Sequence, residues 1–375
     1  MGAQDLSNGR ASFQRPFAVG GIFDASRLDA FGRLRISGLT TIFDSKQLYD
    51  NAPLYFDDAT VSGTAASTYL TNKSATAISV SSETEGMRVR QTKRRFNYQP
   101  AKSQLIYISH ILGSLNSGVR KRLGFFDEKN GIFYGTDGNS LHIGVRSYTT
   151  GVAVDSVVQQ SSWNLDRLDG TTASGITLDP TCTNILVIDF EWLGVGSVRL
   201  GFVINGILYY VHQFNHANVL DVVYMTTPNL PLRFEIENDG SGPEDTLTHI
   251  CCSVSTEGGR DDGGTFFGIN RETSALVIAD SSIHPALGLR LKSTHLGAFI
   301  RLLNFTTYCT SSAEYAWYVI LTPTETGTAA SFSSLSNSSV EYCIGNAGTV
   351  LTGGTILYTG VASDTNSSRN TADAG

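Results

Sequence analysis

From residue 87 onward, apolar and polar residues alternate in short bursts that end at glycine, asparagine or aspartate. The bursts are "QLIYISHIL" (104–112), "RLGFFD" (122–127), "GIFYGTDGNSLHIGVRSY" (131–148), "NILVIDFEWLG" (184–194), "SVRLGFVINGILYYVHQF" (197–214), "LPLRFEIEN" (230–238) and "TLTHICCSVST" (246–256). A period of two puts successive side chains on opposite faces of a strand, so each burst predicts a half-buried β-strand. Two of them carry their own turn. "TDGN" breaks 131–148 in the middle, and Asn205-Gly206 breaks 197–214 with the residue pair that best tolerates a type I′ hairpin. Residues 57–86 are rich in Ser, Thr and Ala and read as exposed strands or a loose linker. "EGGRDDGGT" (257–265) is polar and glycine-rich and marks a boundary. Beyond it "HLGAFIRLLNFTTYC", "YAWYVILT" and "GTILYTGVA" predict a smaller β-domain with a polar tail.

No long stretch has helical periodicity with caps, and no fixed-period repeat is present. The pattern predicts an all-β, antiparallel sandwich or jelly roll. It divides into an extended N-terminal arm (1–50), a sandwich body (51–256) and a C-terminal β-domain (257–375).

Composition adds limits. Charged residues make up 16% of the 375, with 38 glycines, below the roughly 25% charge of an average soluble domain. A net charge of −7 argues against a general nucleic-acid binder. No apolar run approaches the length of a membrane span, and the first residues lack the apolar core of a signal peptide. The five cysteines are odd in number, and adjacent Cys251 and Cys252 face opposite ways on a strand, so reduced thiols made in a cytosol are expected.

The nucleophile elbow, the phosphate loop, the dinucleotide fingerprint and the HExxH and EF-hand patterns are all absent. His212 and His216 with nearby Asp221 have a metal-like spacing only on a helix. On a strand end and loop they read as hydrogen-bonded. Asp189 and Glu191 share one face of a strand whose other face is Ile188, Phe190 and Trp192. That carboxylate pair is either the solvated side of a strand or, with Trp192 and Tyr210, a glycan-binding face. Glycan cleavage through Glu191 is the enzymatic alternative. Arg88, Arg90, Lys93, Arg94 and Arg95, with Arg120, Lys121 and Arg122, form a basic strip. It would suit an acidic partner, or a charged edge that blocks aggregation. No cofactor is implied.

The first 50 residues mix Phe17, Phe23, Phe31 and Phe43 with Arg15, Arg27, Arg33 and Arg35, residue types enriched at interfaces. An arm of this kind either anchors on a neighbouring subunit or packs as irregular strands on its own domain. In the first case, deleting residues 1 to about 45 leaves a folded body.

"RPFAVGGIFDASRLDAFGRLRISGLTTIFDSKQLYDN" (15–51) resembles virion structural proteins of tailed bacteriophages and related large DNA viruses, where "DAFGRLR" and Ile- or Val-Ser precede a β-rich body. "DFEWLGVGSVRLGFVINGILYYVHQF" and "YMTTPNLPLRFEI" resemble the same group and a concanavalin-like sandwich. The resemblance spans about 15–55 and 85–255. It implies a non-enzymatic virion protein, made in the host cytoplasm and assembled as a homo-oligomer with capsid or tail subunits. A host-surface glycan is the alternative partner, and neither a membrane nor a specific nucleic acid is implied.

Overall fold

The predicted alternation closes into two antiparallel sheets. The computed structural model describes residues 28–35, 37–259, 264–271, 275–307, 309, 314–362 and 368–371. The chain divides into two compact units, 1–262 and 263–375, and the break falls inside the glycine-rich stretch picked out by composition.

The strands of the N-terminal unit begin with β1 (Leu39–Ser45), β2 (Phe56–Gly63), β3 (Ala65–Leu70), β4 (Ala75–Val80) and β5 (Gly86–Thr92). Next come β6 (Gln104–Ile111), β7 (Val119–Phe126), β8 (Gly131–Thr136), β9 (Leu141–Ser147) and β10 (Val154–Gln159). The last are β11 (Asn184–Phe190), β12 (Val198–Ile204), β13 (Ile207–Phe214), β14 (Leu232–Asn238) and β15 (Asp245–Glu257). The first sheet runs β13-β12-β11-β6-β15-β4-β3, with β1 paired to the second half of β15. The second runs β10-β9-β8-β7-β14-β5-β2.

The two hairpins read from sequence are present. Ile204 pairs with Ile207 across Asn205 and Gly206, whose φ angles of 53° and 79° are those a type I′ turn requires. Thr136 pairs with Leu141 across "DGNS". The Ser/Thr-rich stretch 57–86 forms strands, not a linker.

Alternate residues of both sheets meet in one core. Ile106, Ile188, Leu200 and Phe202 come from the first sheet; Leu123, Phe125, Tyr134 and Phe234 come from the second. Aromatic rings lock the two layers together: Phe125 lies 5.7 Å from Phe190, and Tyr134 lies 5.0 Å from Phe202 edge-to-face. Cys252 enters this core while Cys251 does not, and all five thiols are unpaired.

The arm boundary at residue 50 needs correcting. Phe43 on β1 packs against Phe96 at 5.0 Å and Phe56 at 6.2 Å, so β1 is a strand of the sandwich. Arg15, Phe17, Phe23 and Arg27 lie outside the described residues.

Most of the basic strip is engaged within the chain, while Lys93 and Arg94 stay exposed. On β5, alternation turns Arg90 inward opposite Phe234, where it is fully buried over the Phe56 ring and bonds Asp58 at 2.5 Å. Arg88 donates to Thr60, Lys93 sits 3.6 Å from Asp57, Arg94 lies over Phe96, and Arg95 pairs with Asp127. Of "RKR", Arg120 pairs with Glu237, Lys121 is buried on Asp245, and Arg122 faces Asp155 and Glu235.

The C-terminal unit holds β16 (Leu287–Leu291), β17 (Asn304–Thr307), β18 (Tyr315–Leu321), β19 (Thr324–Gly327) and β20 (Ser333–Ser334). It ends with β21 (Val340–Ile344), β22 (Thr349–Thr352), β23 (Thr355–Ala362) and β24 (Ser368–Thr371). They pair as β16-β21-β20, β17-β24, β18-β23 and β19-β22.

Candidate functional site: a carboxylate cluster closed by the arm

"DAFGR" (29–33) folds as a tight loop because each residue has a local task. Asp29 accepts hydrogen bonds from the backbone of Phe31 at 3.0 Å and Arg33 at 2.8 Å, while Gly32 takes a φ of 78° that disfavours a side chain. Leu28 then bridges Leu34. The loop delivers two guanidinium groups to the outer face of the first sheet.

There Arg35 donates to Asp189 at 2.6 Å and to Glu257 at 2.5 Å, and Arg33 donates to Glu191 at 2.6 Å and to Asp29 at 2.5 Å. Arg199, directly across the β11–β12 ladder from Asp189, adds a third guanidinium at 2.5 Å and also donates to the Leu28 carbonyl. Tyr210 and Ser103 hydroxyls complete the shell of Asp189 at 2.9 and 2.6 Å.

Asp189 and Glu191 are therefore neither a solvated strand face nor an open glycan face; both side chains are fully buried. Alternation assigned them correctly to the non-core side, but the arm covers that side. Trp192 is half-buried: its indole donates to the Met225 carbonyl at 3.2 Å and its ring stands edge-on to Tyr98. Tyr210 is buried under Arg199.

Burial would lift the carboxyl of Asp189, but Arg199 and Arg35 outweigh it and hold the group below the usual carboxylate range. Glu191 goes the other way. Burial first, then the Asp29 carboxylate beside it, push it up to about 7 against the pull of Arg33. Four carboxyls face three guanidiniums, and a protonated Glu191 brings the cluster to neutrality. Burial also raises Glu257, and burial with the nearby Asp189 charge raises Tyr210.

Beside the docked arm a depression of about 460 Å³ opens, lined by Arg35, Leu39, Tyr107, Val203, Leu208 and Tyr210 among others. Asp189 and Glu191 do not line it. Asp189 accepts four hydrogen bonds, from Arg35, Arg199, Tyr210 and Ser103. The geometry suits holding a segment in place, and it places no acid–base pair on open surface.

His212 and His216 hold separate loops. His212 accepts from the Asn164 backbone at 3.1 Å, while His216 bonds the Gly196 carbonyl at 2.6 Å and stacks on Tyr224. Sequence reasoning missed Asp29, Ser103, Arg199 and Glu257. Arg199 was findable: its alternation puts it on the non-core face, and only the pairing register sets it opposite Asp189.

No family model and no curated protein matches the chain. Among solved structures it is similar to a glycosyl hydrolase family protein from Mycobacterium fortuitum at 10% identity and a TM-score of 0.39, covering 57% of this chain and 99% of that one. It is similar to a legume lectin-like domain from Entamoeba histolytica at 12% identity and a TM-score of 0.35, covering 58% and 98%. A third is the binding domain of botulinum neurotoxin DC in complex with SialylT, at 10% identity and a TM-score of 0.32, covering 55% and 44%. Scores this low assign neither family nor function, and the site is defined by its own geometry: a carboxylate cluster closed by the chain's own arginines.

Proposed function

We propose that this chain is a non-enzymatic structural protein of a virus particle of the tailed-phage type, with the sandwich as a rigid carrier for contacts to other virion proteins. The observation that carries the reading is the docked arm. The segment with the virion-like "DAFGRLR" sequence supplies Arg33 and Arg35, which close over the paired carboxylates that hydrolysis would need. Fold alone does not decide function, so the support is this use of the arm. Peptide mass spectrometry and immunogold labelling of purified particles are the test. The chain is expected in a fixed copy number on the particle, and its absence from particles would end the reading.

The depression beside Tyr107 favours a second reading, glycan binding. Tyr107 is half-buried and lines the depression together with Arg35. On this reading a glycan array detects a ligand that Tyr107→Ala loses. Binding that survives the change, or no binding at all, removes it.

A further inference from the structure

Lys121 is a buried amine in a row of core-facing residues. On β7, alternation sets it between Val119 and Leu123, and the ladders on either side place it opposite Ile236 and Thr136, all fully buried. Its Nζ donates to the Asp245 carboxylate at 2.8 Å and to the Ser114 carbonyl at 2.7 Å. Two acceptors match the two N–H bonds of a neutral amine, whose lone pair is then unengaged. Burial lowers Lys121 from the ordinary lysine value more than Asp245 raises it, which shifts the balance toward that neutral, nucleophilic form.

Asn116 completes the group. It stands in the turn that leads into β7, where the Val119 backbone N–H returns to its carbonyl at 3.0 Å. Its side-chain amide donates to the same Asp245 Oδ2 at 3.0 Å. Asp245 opens β15 in the other sheet, and its second oxygen accepts from the Thr246 backbone N–H at 2.7 Å. Gly113 bounds the far side: a Cβ there would stand 3.2 Å from Lys121 Nζ and 3.5 Å from Asp245 Oδ1. One carboxylate oxygen therefore touches both the nitrogen that an acyl transfer would deprotonate and the nitrogen it would expel. A salt bridge alone does not call for the carboxamide.

We infer that Lys121 and Asn116 form an intramolecular isopeptide bond, with Asp245 as the catalytic proton carrier. The Lys121 amine attacks Cγ of Asn116 once the carboxamide turns its carbon toward the lone pair. Asp245 Oδ2 takes the proton that Nζ gives up and passes it to Nδ2. The Cγ–Nδ2 bond then breaks and ammonia leaves. The product is a secondary amide between the two side chains, Asp245 ends as it began, and no oxidant, cofactor or second substrate is consumed. Burial of Lys121 keeps water from hydrolysing the new bond. The joined residues are close in sequence, so the bond fixes one turn at the end of the sandwich and removes little freedom from the unfolded chain. It is read in mass more than in melting temperature.

Intact-mass spectrometry and tryptic mapping of the full chain test it. The expected mass is that of the sequence less one ammonia. Trypsin does not cut at an acylated lysine, so the digest should yield residues 103–120 joined through Asn116 to residues 121–122. Asn116→Ala changes a half-buried turn residue and leaves the Lys121–Asp245 pair in place. It is expected to fold as before and to show no loss of ammonia. Asp245→Asn is expected to leave the bond unformed in a chain that keeps its β-type spectrum; should that variant fail to fold, Asn116→Ala decides. A native chain of full sequence mass overturns the bond. So does loss of one water instead, the mark of a Lys121–Asp245 link. So does loss of ammonia without the branched peptide, the mark of an asparagine cyclised on its own backbone.

Discussion

Glu191 is the residue at which protonation and docking meet. Its carboxyl is raised from an ordinary 4.5 to about 7 by burial, with the Asp29 charge adding to the shift. The folded state therefore holds this proton more tightly than the unfolded chain. Its contribution to stability is whole below about pH 4.5 and is lost as pH rises through about 7. Glu191→Gln keeps the neutral shape and removes the titration. Relative to the native chain, the variant should gain in melting temperature on going from pH 5 to pH 8. A difference between the two that stays constant with pH would show that Glu191 does not titrate in this window. Asp189, two residues earlier, gives no such signal, because Arg199 and Arg35 keep it charged throughout. Adjacent carboxylates on one strand face thus end with opposite protonation behaviour. Sequence could place both on one face, but could not tell which arginines would arrive.

At the scale of elements, the arm separates into two halves with different work. Phe31 in the loop is exposed, stacked only near the Arg33 guanidinium, whereas Phe43 on β1 packs among Tyr55, Phe56 and Phe96. Phe43→Ala should cost about 2–3 kcal/mol of stability, short of a fully buried phenylalanine. Phe31→Ala should cost less than about 1 kcal/mol, as expected of a surface change. Denaturant unfolding of both variants checks this, and equal costs would contradict the division. A deletion ending at residue 45 removes β1 with Phe43 and is expected to destabilise the body rather than leave it intact. The hairpins at Asn205-Gly206 and "TDGN" were legible because a turn residue and two flanking alternations lie within a dozen positions. The arm's docking was not, since Arg33 finds Glu191 and Arg35 finds Glu257 far along the chain. The basic strip misled for a related reason: composition counted its cations, while strand parity sent Arg90 and Lys121 into buried pairs.

For the whole molecule, the two units differ in what stabilises them. The sandwich has its own core of aromatic and aliphatic side chains, so its unfolding should not depend on protein concentration. The C-terminal unit buries few side chains among its described residues and should melt in a separate transition at lower temperature. Calorimetry over a tenfold dilution series checks both statements, and a single transition would contradict the second. The domain boundary was legible as a change in composition. The thinness of the C-terminal core was not, because strands such as "YAWYVILT" have the same apolar content whether their side chains are buried or exposed. The docked arm also has a consequence in time. Arg35 and Glu257 are 222 residues apart in sequence. At roughly 5–20 residues per second of synthesis, the loop that carries Arg35 waits roughly ten to forty-five seconds for the carboxylate that receives it. Throughout that interval β1 and its Phe43 have no β15 to pair with, so an early-made strand of the sandwich completes its pairing only when the last strand is made.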